Sequence, residues 1–110
     1  MITRELIAAS SEPIILSILC GGENYGYAII QKVRICSEEQ MQWTDGMLYP
    51  VLHRLEQKGL ISARWKKGEG GPRRKYYRIT ARGKKVLEEQ KAQWSIVHQT
   101  LNQLWRMEHV

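Results

Sequence analysis

A chain of 110 residues, 43% hydrophobic and 25% charged, suits one modest globular domain. Its longest apolar run, Pro13 to Cys20, is too short to span a bilayer, and MITRELIAASS lacks the apolar stretch of a secretory signal, so a cytoplasmic protein is expected. The net charge of +6 is uneven: Arg54 to Lys85 holds twelve Lys or Arg against two acids (+10), and the remainder five against nine (−4). One basic region in an acidic chain is the footprint of a phosphate-backbone binder.

Thr3 to Ala9 reads as a short helix or an arm. Ser11-Glu12-Pro13 then supplies a hydroxyl cap, an acid in the first turn and a proline where its missing N–H does little harm, so helix 1 is expected over about Glu12 to Cys20. Gly21-Gly22 ends it. Asn24 is placed to cap helix 2, about Tyr25 to Ser37, whose core stripe is Ile29, Val33 and Cys36. Cys20 and Cys36 are expected to be reduced core thiols, with a redox pair as the alternative. Met41 and Trp43 anchor the polar connection that follows.

Helix 3 starts at Thr44 or Asp45 and stops before Gly59. Leu48, Leu52 and Leu55 share its core face; Gly46, Pro50, His53 and Gln57 lie opposite, with Tyr49 and Arg54 on the flanks. Pro50 removes one backbone bond and predicts a bend. Past Gly59 the period drops to two. Ile61, Ala63 and Trp65 alternate with Ser62, Arg64 and Lys66; after the turn cluster Gly68 to Pro72, Lys75, Tyr77 and Ile79 alternate with Arg74, Tyr76 and Arg78. This is a hairpin with a basic outer face. Thr80 caps helix 4, expected to reach about Met107, with Gly83 an unfavourable residue in its first turn. Leu87, Gln90, Trp94, Val97, Leu101 and Leu104 keep a seven-residue a/d spacing, which suggests a coiled-coil contact with a second copy.

Three helices and a basic hairpin make a winged helix-turn-helix over residues 1–79, with a C-terminal dimerisation helix over 80–110, the two forming one compact unit: a mainly α fold with a small β-hairpin. Helix 3 is the reading helix. Thr44, Tyr49, His53 and Arg54 are its candidate DNA-facing residues. Arg54 suits a phosphate or a guanine edge, His53 either or mere solvation, and Tyr49 a phosphate bond or packing. Lys66, Lys67, Arg73, Arg74 and Lys75 are the candidate wing contacts, against the plain alternative of a solvated charge run.

GEGG lacks the GK[ST] ending of a phosphate loop and precedes a strand. His53, His98 and His109 are scattered, and no carboxylate pair or nucleophile motif appears, so no enzyme, metal or cofactor is expected. A non-specific nucleic-acid binder, or a partner-binding module acting through helix 4, remain as alternative classes.

At GMLYPVLHRLEQKGLI and GGPRRKYYRITARG the sequence resembles the PadR family of bacterial transcriptional regulators, and ILSILCGGENYGYAIIQKV matches that family's first two helices. The resemblance spans about Ile14 to Trp105. Through NYGYAIIQKV, RRKYYRIT and Trp94-Ser95 it is similar to the multidrug-responsive branch of small members. That resemblance implies a homodimeric repressor of a roughly palindromic operator, with helix 4 packed on its mate and on helix 1 of the other subunit. It also implies a flat aromatic compound stacked between two copies of Trp94, with Glu5 near the pore. His98 stands where an acid is expected one turn after Trp94, a departure that weighs against a preference for cationic drugs. Independently of the family, Trp94 also reads as ordinary dimer packing at an a position. Members without any small-molecule effector are the alternative within the family.

Overall fold

The computed structural model describes residues 2–68 and 70–108. Glu69 of the wing turn and His109 lie outside the described residues. The order is α1 (Arg4–Cys20), β1 (Asn24–Tyr25), α2 (Gly26–Cys36), α3 (Asp45–Gln57), β2 (Ile61–Lys67), β3 (Arg73–Ile79) and α4 (Ala81–Met107).

The first helix corrects the sequence reading. It is one continuous helix capped by Thr3, whose hydroxyl accepts from the Leu6 N–H at 3.2 Å. Ser11 caps nothing: its hydroxyl donates to the Ala8 carbonyl at 3.0 Å, and Ser10 likewise donates back to Leu6 at 2.7 Å. Serine hydroxyls that fold back onto the preceding turn leave the helix free to continue. Pro13 is therefore inside the helix.

Asn24 is not a helix cap either. It and Tyr25 form a short third strand against β3, with Asn24 opposite Tyr77 and Tyr25 opposite Tyr76, giving the sheet order β1-β3-β2. Two residues carry no legible period, which is why this strand escaped the alternation test. Both cysteines are exposed rather than in the core. Each is the last residue of its helix, and the α2 stripe is already buried at Ile29 and Val33 before it reaches Cys36.

The remaining elements match expectation closely. The core joins Ile15, Leu16 and Leu19 of α1 to Ile29, Leu48, Leu52 and Leu55, and is closed by Trp43, Tyr77 and Leu87. α3 is solvated on its Gly46, Pro50 and His53 face. Thr80 caps α4, its hydroxyl accepting from Gly83 at 3.0 Å while donating to the Gly59 carbonyl at 2.8 Å.

Gly83 has a positive reason to be there. A Cβ at this position would overlap the Leu60 carbonyl and the Ile79 side chain. Its bare backbone lets the first turn of α4 dock on the foot of the wing. Leu87, one turn on, is only 2% exposed. It belongs to the chain's own core, and the large exposed apolar side chains of α4 begin further along, at Trp94.

Candidate nucleic-acid interface

The alternation of β2 and β3 sorts the wing's cations onto two faces. Ala63 pairs with Tyr77, Trp65 with Lys75 and Lys67 with Arg73. Cross-strand partners share a face, so Trp65, Lys67, Arg73 and Lys75 lie on the side of the buried Tyr77. That side is turned to α3, because Lys75 Nζ sits 3.7 Å from Glu56 Oε1 on that helix. Arg64, Lys66, Arg74 and Arg78 lie on the other side with Tyr76 and Tyr25.

The outer side is largely occupied with itself. Lys66 lies 4.3 Å above the Tyr76 ring, Arg74 lies 4.4 Å above Tyr25, and the two tyrosines meet edge to face at 5.4 Å. Glu23, just before β1, accepts hydrogen bonds from both Lys66 and Arg64, the latter at 3.3 Å. The Lys66 ammonium holds the Glu23 carboxyl below its ordinary range, with Arg64 adding to the effect and partial burial opposing it.

The residues expected on the reading helix are divided in the same way. Thr44 and His53 are exposed. Tyr49 is 44% exposed, yet its hydroxyl reaches the first turn of α2, where a Cβ on Gly26 would overlap it. Arg54 is turned toward α1: its Nε lies 3.7 Å from Glu12 Oε2, and Lys58 Nζ binds the same carboxylate at 3.1 Å. Lys67 and Arg73 enter no ion pair among the described residues. Tyr77 sits beneath this face, its hydroxyl pushed up to about 12 by burial first, then by the charges of Glu56 and Tyr49.

Three acids missed in sequence, Glu12, Glu23 and Glu56, therefore govern which cations are engaged within the chain. Nothing local in the sequence marks them, since their partners lie on other elements. Trp65 shares the face of Ile61 and Ala63, yet it is 57% exposed, because the hairpin has by then run past the core.

The candidate ligand residues are not assembled within one subunit. Trp94 lines a shallow groove of about 260 Å³ with Ser10, Pro13, Ile14, Leu87 and Lys91. Glu5 and His98 are not in its lining; His98 Nε2 instead lies 3.0 Å from the Asn102 amide. Val97, Leu101 and Leu104 are exposed along the same helix, with Trp105 beside them. Among the described residues no cluster of His, Cys, Asp or Glu has metal-binding geometry, and no helix is long and apolar enough to cross a membrane.

The sequence profile described as "Transcriptional regulator PadR-like family" matches residues 15–89. "Uncharacterized protein X" of Lysinibacillus sphaericus is 33% identical over 102 residues, 93% of this chain and 94% of that one. The structure of a transcriptional regulator from Clostridium thermocellum superposes with a TM-score of 0.84 at 32% identity, covering 94% of this chain and 97% of its own. A PadR-like transcriptional regulator from Bacillus cereus gives 0.80 at 35% identity, with 91% and 95% covered.

Proposed function

The chain belongs to the PadR-like family of transcriptional regulators, and on that premise we propose that it is a homodimeric repressor, released from a roughly palindromic operator by a flat aromatic compound. Regulators of this family bind DNA and are not enzymes. The DNA-binding part of this reading rests on one observation above all: Lys67 and Arg73 stand on the wing face turned to the reading helix and enter no ion pair among the described residues. Phosphates of a duplex lying across α3 and the wing meet these cations first. The intended setting is the cytoplasm.

The dimer reading rests on α4. From Trp94 to Met107 it exposes Trp94, Val97, Leu101, Leu104 and Trp105, a surface that a second α4 covers. Two-fold symmetry then sets two reading helices about one or more helical turns apart on the DNA. The effector reading rests on Trp94. Its groove of about 260 Å³ falls below the roughly 300–1,000 Å³ of ordinary ligand sites, and two copies facing each other would double it. Glu5, away from this groove in its own subunit, favours a second reading in which the member takes no small molecule.

Selection of bound duplexes from a random pool tests the main reading. A single palindrome should emerge and compete out random duplex at fixed salt; equal affinity for both sinks the repressor. Flat aromatic compounds added to that complex should then release the DNA and quench fluorescence less in Trp94→Ala than in the parent. An unmoved complex favours the ligand-free reading.

A further inference from the structure

Several large apolar side chains are exposed, and a second copy accounts for those on α4. Trp65 is not one of them. Its indole is 57% exposed on β2. It stands four residues, about 13 Å, beyond Ile61, near the foot of the wing where α4 docks. Toward the foot its same-face neighbours are Ala63 and Tyr77; toward the tip they are cations. Lys75 is its cross-strand partner, and Lys67 and Arg73 follow toward the tip on the same face.

An indole flanked by cations across the strand and toward the tip is a poor surface for self-association, because a copy of the same patch would bring like charges together. It is complementary to a nucleic-acid duplex, in which anionic phosphates alternate with apolar deoxyribose edges. The face is also the one turned to α3, as the Lys75–Glu56 contact fixes. Resting on the DNA-binding reading above, the geometry points to Trp65 as a DNA-contacting residue. Its ring packs on the deoxyribose wall of the minor groove while Lys67 and Arg73 take the flanking phosphates.

The two kinds of contact differ in their response to salt. Cations that neutralise phosphates release counterions, so their contribution fades as salt rises. An indole that excludes water from sugar carbons releases none, so its contribution stays constant. Removing Trp65 should therefore lower affinity without changing the salt slope, whereas removing a wing cation changes both.

The test uses the full chain and the operator duplex selected as above, titrated across a salt series. Trp65→Ala should weaken binding about tenfold, equivalent to about 1.4 kcal/mol, at every salt concentration and with an unaltered slope. Trp65→Phe, which keeps an apolar ring, should recover most of that loss. Indole fluorescence of the parent should be quenched by DNA, and Trp65→Phe should lose that component, a readout that stands even if the alanine variant folds poorly. Parental affinity in Trp65→Ala, or a loss accompanied by a shallower slope, overturns the assignment. A parent chain that binds no duplex overturns the DNA-binding reading instead, so the two failures are distinguishable.

Discussion

From Lys66 to Lys75 the surface is charged, and from Trp94 to Met107 it is largely apolar, yet both regions project beyond the core that fixes the rest of the chain. They are left open in different ways. The wing's charges are already partly answered within the subunit, by Glu23 on the outer side and Glu56 on the inner one. The apolar side chains of α4 have no such cover among the described residues, since the helix is exposed through nearly all of its last four turns. Partial internal neutralisation suits a surface that binds and releases a polyanion. An uncovered apolar seam suits a surface that stays covered.

Gly83 joins the foot of the wing to the first turn of α4, and breaking that joint should have the largest effect. Gly83→Ala would gain up to about 1 kcal/mol from helix propensity, but its Cβ would collide with the Leu60 carbonyl, a backbone atom that cannot swing away. The clash dominates: a net loss of about 3 kcal/mol is expected, read as a lowered urea midpoint with no gain in helicity.

The seam should be nearly as sensitive. Leu101→Glu combined with Leu104→Glu places four like charges at a two-fold contact. Sedimentation should then show a 12.8 kDa monomer, and operator affinity should fall on the order of 100-fold as the two half-sites cease to be linked. An unchanged mass would remove this stretch of α4 from the interface.

The seat of the wing can be tested by alkali. Tyr77 is 3% exposed and its folded pKa is raised to about 12 from 10.0. The raised value favours the neutral form when folded, so the contribution is intact below pH 10 and is lost as pH rises toward 12. It amounts to about 2–3 kcal/mol. Tyr77→Phe should flatten the decline in urea midpoint over that window.

Sequence patterns reported what is periodic. The span of α4, the core face of α3 and the alternation of the wing are all legible, because each reflects a repeated geometry of one element. What was not legible depends on a second element. Asn24 looks like a cap until β3 is present to pair with it. Ser11 looks like a helix start until its hydroxyl is seen to bond the preceding turn. Helix position makes Arg54 a DNA-facing candidate, and only the fold reveals Glu12, forty-two positions earlier, beside its half-exposed guanidinium. Trp65 obeyed its alternation and still emerged exposed, since period two identifies a face and says nothing of where the core ends.

Within the wing, cations on the inner face should matter through salt. Lys67→Ala with Arg73→Ala, which removes two cations from each subunit of the dimer, is expected to lower operator affinity at least about tenfold and to reduce the log–log salt slope by about 3.6, the value for four phosphates at 0.9 each. An unaltered slope would mean that neither side chain neutralises phosphate.

The smallest effect, and the finest division of the wing, is expected at Glu23. Its carboxylate holds Lys66 and Arg64 on the outer face, where a phosphate would otherwise compete for them. If it masks these cations, Glu23→Gln should raise affinity for random duplex by about two- to threefold, the scale of a surface ion pair, and steepen the salt slope. The palindrome should gain less, so specificity should fall. The sign with pH follows from the lowered folded pKa. The native pairing is complete above the ordinary carboxylate range and is lost as pH falls through the lowered folded value, so the difference between parent and Glu23→Gln should shrink on acidification. The opposite result, weaker binding to random duplex in Glu23→Gln, would mean that Glu23 orients Lys66 and Arg64 toward phosphate. The outer face would then join the inner one as part of the DNA surface, and the contrast between the two sides of the wing would disappear.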